Sequence, residues 1–128
     1  MKLLDTCFLI HLQREWIQKQ SGPATRYLES HSGEEFGLSV ISVLEFLEGY
    51  EHSADGERFL VPFPRLEVTT KVVRIGSRIR RDLRQRGEMI GDFDILIAAT
   101  ALDADRPLVT DNVRHFERIE GLIVEKYR

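Results

Sequence analysis

Asp5, Glu45, Asp94 and Asp111 are distant in the chain, yet each stands at the end or the start of an apolar element, where a lone charge is out of place. Asp5 closes the run Leu3-Leu4, Glu45 lies beyond Phe36-Gly37-Leu38-Ser39, and Asp111 follows Leu108-Val109-Thr110. Asp94 falls in the first turn of a segment, residues 92–102, that is apolar on nearly every side and reads as a buried helix. A helix N-terminus offers free N–H groups and partial positive charge, which keep a carboxylate ionised in a dry place. Gathered within a few ångströms, such acids repel one another and would take up protons. A divalent cation removes the conflict, and an oxygen-only donor set favours Mg²⁺ or Mn²⁺. The chemistry this supports is phosphodiester hydrolysis, in which the cation activates a water and stabilises the leaving oxygen. No serine or cysteine nucleophile is then required.

A structural role competes at each position. Asp5 stands beside Thr6, a good N-cap for the following helix, and can share in that cap. Ser42-Val43-Leu44-Glu45 is also a capping box if a helix begins at Ser42. Asp111-Asn112 after a strand is also common turn chemistry. Asp92 is expected to be the N-cap of its helix, turned away from Asp94. Thr6, Thr110 and Asn112 are the polar neighbours expected at the same site. The single cysteine, Cys7, reads as a small buried residue; it allows no internal disulfide and fits a reducing cytoplasm. His11, His31, His52 and His115 show no metal-ligand spacing, and Trp16 and Tyr27 read as packing or interface residues.

Bringing such distant acids together takes a sheet. Short apolar runs at residues 2–5, 36–39, 66–68, 107–110 and 122–124 read as strands. Helical spacing follows Thr6 (Phe8, Leu9, Leu12), surrounds Tyr27 and Leu28, and runs from Ile41 to about Glu51. A polar turn at residues 52–56 leads to a short segment, Phe59-Leu60-Val61, stopped by Pro62 and Pro64. From Thr70, the stripe Val72, Ile75, Ile79 and Leu83 marks a long helix closed by Gly87, and residues 111–116 read as a loop or short helix. Alternation of this kind predicts an α/β fold with a mainly parallel sheet covered on both faces, whose sites lie at the carboxyl ends of the strands.

With 128 residues, 42% of them hydrophobic and 30% charged, the chain is expected to form one domain over residues 1–128. No apolar run approaches the ~20 residues of a membrane span, and the opening Met-Lys-Leu-Leu-Asp lacks the apolar core of a signal peptide. Residues 71–86 carry seven cations against the single acid Asp82, a net of +6 that leaves −9 for the rest of a chain whose total is −3. Arg74, Arg78 and Arg81 lie nearly opposite the apolar stripe. They read either as a solvated helix face or as a phosphate track, for which the bidentate guanidinium fork is suited.

Leu4-Asp5-Thr6-Cys7-Phe8-Leu9-Ile10 resembles the opening motif of PIN-domain ribonucleases. Ser39-Val40-Ile41-Ser42-Val43-Leu44-Glu45-Phe46-Leu47-Glu48-Gly49 is similar to their second motif, and residues 94–102 to their third. With Leu108-Val109-Thr110-Asp111-Asn112-Val113-Arg114-His115-Phe116, the likeness spans nearly the whole chain and is nearest to VapC-type toxins of toxin–antitoxin systems. The resemblance implies a three-layer α/β/α domain with four or five strands and a Mg²⁺- or Mn²⁺-dependent endoribonuclease acting on transfer or ribosomal RNA. It also implies a homodimer and a VapB-type antitoxin whose tail occupies the acidic groove. It makes Asp5, Glu45 and Asp94 an acidic triad. At the fourth position this chain departs from the pattern, with Asn112 and His115 where many relatives carry an acid; either Asp111 substitutes or Asn112 orients water. A phosphoacceptor receiver domain would want an acidic pair after the first strand and an aspartate ending the central one, where this chain has Asp5 alone and Val68-Thr69. A non-catalytic RNA-binding or regulatory domain is the alternative reading.

Overall fold

In the computed structural model, which describes residues 1–128, the first strand of the chain is the centre of the molecule. β1 (Lys2–Leu4) pairs in parallel with β2 (Phe36–Ser39) on one side and β4 (Leu108–Thr110) on the other. β3 (Arg65–Leu66) and β5 (Val124–Lys126) form the edges, giving the order β3-β2-β1-β4-β5 with every pairing parallel.

Period-two alternation divides the core. Leu4, Leu38 and Val109 face one helical layer, where they meet Phe8, Leu9 and Leu12 of α1 (Thr6–Gln18) and Tyr27 of α2 (Pro23–Ser30). Phe46 of α3 (Val40–Leu47) and Leu60 of α4 (Ser53–Leu60) complete that layer. Leu3 and Leu108 face the other, against Val72, Ile79 and Leu83 of α5 (Thr70–Arg86), Ile95, Ala98 and Ala101 of α6 (Asp92–Ala104), and Phe116 of α7 (Val113–Phe116). The result is the three-layer α/β/α arrangement expected from the sequence. No helix is long and apolar enough to cross a membrane.

The chain adds β2 and β3 on one side of β1, then crosses back to add β4 and β5 on the other. The reversal falls between β1 and β4, and open α/β sheets leave a crevice at the carboxyl edge of such a switch point. The expected long helix is α5, capped by the Thr69 hydroxyl, which accepts from the Val72 N–H at 3.2 Å, and closed by Gly87 at φ 68°. α5 and α6 run antiparallel: Lys71 reaches Asp103 near one end (3.2 Å), and Arg80 reaches Asp92 near the other (2.9 Å).

Three elements differ from expectation. The polar stretch after His52 is not a turn but the start of α4, and Gly56 lies inside that helix because a Cβ there would come within 2.7 Å of Leu47 and 2.9 Å of Tyr50. The third strand stops at Leu66 because its partner β2 ends at Ser39, where the chain turns into α3. The last strand begins at Val124: Ile123 is 62% exposed, and only its carbonyl serves the ladder, accepting from the Leu108 N–H at 2.9 Å.

Gly76 is buried where α5 packs on α6, and a Cβ there would stand 3.6 Å from Leu96 and 3.7 Å from Ile95, ordinary contact distances. A glycine inside a helix costs about 0.5–1 kcal/mol relative to alanine. Gly76→Ala is therefore expected to raise stability by about that amount, seen as a higher urea midpoint at unchanged m; a lower midpoint would mean that close helix approach governs this position.

Candidate active site

Asp5 follows β1 directly and is itself the N-cap of α1, its Oδ1 accepting from the Thr6 N–H at 2.8 Å. Thr6, expected as the cap, is instead the first helical residue, because the strand already ends at Leu4. The second oxygen of Asp5 accepts from Thr110 Oγ1 at 2.7 Å and from Cys7 Sγ at 3.3 Å. Three donors thus fix a carboxylate that is only 5% exposed. Thr110, buried at the end of β4, also accepts from the Asn112 N–H at 2.9 Å, and the Asn112 side chain lies 2.9 Å from His115 Nδ1.

Glu45 is carried by α3. That helix begins at Val40 under a Ser39 cap, so no capping box forms at Ser42; the Ser42 hydroxyl is buried without a partner. Glu45 lies in the second turn, and its Oε1 accepts from Thr6 Oγ1 at 2.7 Å, tying α1 to α3 across the carboxyl edge. Asp94 is the third residue of α6. The cap of this helix is Gly91 and not Asp92, whose carboxylate is exposed and engaged by Arg80. Asp92 does point away from Asp94: the two line different cavities.

Asp5, Glu45, Asp94 and Asp111 line one open cleft of about 510 Å³, together with Thr6, Asn112, Cys7 and Ile10. Its electrostatics divide the acids into two kinds. Burial pushes Asp5 above the ordinary carboxylate range, and Glu45 adds to the shift. Burial raises Asp94 likewise, with a further push from Asp5 and a partial offset from His115. Glu45 is raised by burial, Asp94 and Glu48 against the Thr6 hydrogen bond. Each of the three therefore feels another of the three, and none is bonded to a basic side chain. Asp111 behaves oppositely: burial would raise it, but the hydrogen bond from Arg128 and the nearby charges of Arg128 and His11 hold it below the usual range. Arg128 places Nε at 3.0 Å and Nη2 at 2.8 Å from its Oδ2.

No three His, Cys, Asp and Glu side chains stand at cation-coordinating spacing, as expected of like charges with nothing between them. The donor chemistry nevertheless suits a hard cation. The triad offers oxygen alone, its carboxylates lack internal counter-charge, and the cleft is open enough for water and a phosphate to complete a coordination shell.

Cys7 is a further cleft residue. It is half-buried rather than fully buried, and burial and the Asp5 charge push its thiol far up, so it serves as a hydrogen-bond donor. Its place in the first turn after the strand-ending Asp5 was a usable signal; the Arg128 contact with Asp111, 17 residues apart, left none. The arginines expected as a row are all exposed on α5 at i, i+4 and i+7, sharing one helix face, and they border different hollows. Arg81 lines a groove between α5 and α6 with Arg80, Arg84 and Asp92; Arg78 lines a narrow cleft beside Asp82 and Glu120; Arg74 is exposed and lines neither.

A family model described as PIN domain matches residues 2–122. Ribonuclease VapC19 of Mycobacterium tuberculosis is 38% identical over 128 residues, covering 95% of this chain and 97% of that protein. The tRNA(fMet)-specific endonuclease VapC of Salmonella typhimurium is 35% identical over 98 residues, covering 70% of this chain and 74% of that one. In three dimensions, the crystal structure of VapBC2 from Rickettsia felis, bound to a DNA fragment from their promoter, superposes with a TM-score of 0.82 at 25% identity, covering 99% of this chain and 98% of that one. The chain belongs to the PIN-domain family, among its VapC ribonucleases.

Proposed function

We propose that this protein is a divalent-cation-dependent endoribonuclease of the toxin type, with Asp5, Glu45 and Asp94 as the cation-holding triad. The observation that carries the reading is that these three carboxylates, buried or half-buried and none bonded to a basic side chain, line one cleft at the β1/β4 switch point. A bound Mg²⁺ or Mn²⁺ would supply the positive charge that activates water and offsets charge at the leaving oxygen. The protein's own groups set the geometry. Thr110, Cys7 and the Thr6 amide fix Asp5, the Thr6 hydroxyl fixes one oxygen of Glu45, and α6 presents Asp94 from its first turn. The second Glu45 oxygen has no internal hydrogen-bond partner and would be available in the cleft to a cation or to a proton of the attacking water. Asp111, already met by Arg128, acts beside the triad rather than within it, holding β5 to the cleft edge. The likeness to a tRNA(fMet)-specific endonuclease supports a structured RNA such as transfer RNA as substrate. The Rickettsia felis VapBC2 complex supports a VapB-type antitoxin as partner, and the family resemblance implies a homodimer.

Asp94→Asn should reduce RNA cleavage by about 100-fold or more and weaken Mn²⁺ binding while leaving RNA affinity intact. Asp111→Asn should cost far less activity. Wild-type protein that cuts no RNA in the presence of Mn²⁺, measured on total RNA by end mapping, would sink the proposal.

The raised carboxylates also set a pH dependence. Between their ordinary and folded-state values the folded chain binds more protons than the unfolded one, so without divalent cation stability falls as pH rises through that window. Asp111 acts with the opposite sign and in a lower window, where falling pH removes its contribution. Urea midpoints taken in chelator and in Mg²⁺ from about pH 4 to 8 should diverge toward the upper end, with Mg²⁺ restoring what the chelated protein loses. Parallel curves would contradict a cation site at the triad.

A further inference from the structure

The groove between α5 and α6 has a volume of about 530 Å³ and adjoins the acidic cleft at the N-terminal end of α6. Asp92 lines the groove, and Asp94, two residues further along the same helix, lines the cleft. Val73, Gly76, Ser77, Arg80 and Arg84 follow helical spacing and present one stripe to the groove, with Arg81 at its margin. Ile95 and Leu96 supply an apolar wall. Arg80 is engaged by Asp92, but Arg81 and Arg84 are exposed and make no ion pair. Two free guanidinium groups thus stand beside a semi-apolar groove that ends at the helix turn carrying one member of the triad.

The triad by itself repels a polyanion, so a nucleic-acid chain entering the cleft needs a cationic surface close to it. Only one part of α5 meets that requirement. Arg78 faces Asp82 and Glu120 in a separate cleft, and Arg74 lies toward the end of α5 where Lys71 pairs with Asp103, away from the N-terminus of α6. We propose that the α5/α6 groove is the track for the RNA backbone, with Arg81 and Arg84 as its phosphate contacts and the Ile95 and Leu96 wall receiving a base or ribose face. RNA fits better than an acidic polypeptide because the groove reaches the helix end that carries Asp94 of the site proposed to act on phosphodiesters, and the inference rests on that reading. It narrows the arginine row at 74, 78 and 81 to its Arg81 end and adds Arg84.

The test compares two neutralised pairs that remove the same charge, R81Q/R84Q and R74Q/R78Q. Binding of purified bulk transfer RNA is measured in chelator over a series of salt concentrations, and Mn²⁺ affinity is measured by calorimetry. R81Q/R84Q should bind at least about tenfold more weakly, with a salt slope smaller by about 1.4 to 1.8 for two lost phosphate contacts, and unchanged Mn²⁺ affinity. R74Q/R78Q should stay close to wild type. The proposal is overturned if R81Q/R84Q retains wild-type affinity and slope, or if both pairs lose equally. It is also overturned if poly-glutamate binding depends on Arg81 and Arg84 while RNA binding does not. Wild-type protein that neither binds nor cuts RNA would instead refute the nuclease reading.

Discussion

Three carboxylates that repel one another are held within one cleft because the backbone leaves them no other place. Asp5 must lie at the edge of the sheet, since β1 ends at Leu4 and the next residue caps α1. The Thr6 hydroxyl joins that corner to Glu45, and the crossing helix α6 starts at the same edge with Asp94 in its first turn. Repulsion between two charges at 4 Å is about 4 kcal/mol at an effective dielectric of 20 and falls with separation. Burial of one or two large apolar side chains, at about 1.5–3 kcal/mol each, is comparable. The two apolar clusters on either side of the sheet are therefore ample to impose the arrangement. The site's conflict is maintained by the core.

Opposite charge is kept close to the triad without being allowed to quench it. Arg128 meets Asp111, and Arg80 meets Asp92, each an acid adjoining but not belonging to the triad. Exposed ion pairs of this kind contribute little stability. Their effect is to sort the carboxylates, leaving Asp5, Glu45 and Asp94 without a basic partner.

Much of this was legible because it depends on local periodicity. The strand–acid–helix junction at Asp5, the apolar α6 with Asp94 in its first turn, and the long α5 ended by Gly87 all follow from spacing and cap chemistry. What failed to show was whatever depends on approach between distant segments. Gly56 resembles a turn residue, yet it is glycine because Leu47 and Tyr50 leave no room for a Cβ. Ile123 belongs to an apolar triplet, yet only its carbonyl joins the sheet. The cap positions at Asp5, Ser39 and Gly91 each fall one to three residues before the residue that composition alone selects. The Arg80–Asp92 pair depends on the antiparallel packing of two helices, which sequence spacing within either one does not reveal.

The central position of β1 also governs when the site comes into being. Its neighbours are drawn from residues 36–37 on one side and 108–109 on the other, so β1 cannot be enclosed until the segment carrying β4 has been made. Contacts spanning such separations form late, because the loop between them must be closed before they return any energy. A chain still emerging from the ribosome can hold Asp5 and Glu45, but neither Asp94 nor the Thr110 hydroxyl that steadies Asp5. A chain short of β4 thus lacks the complete cleft, which appears only as the domain closes.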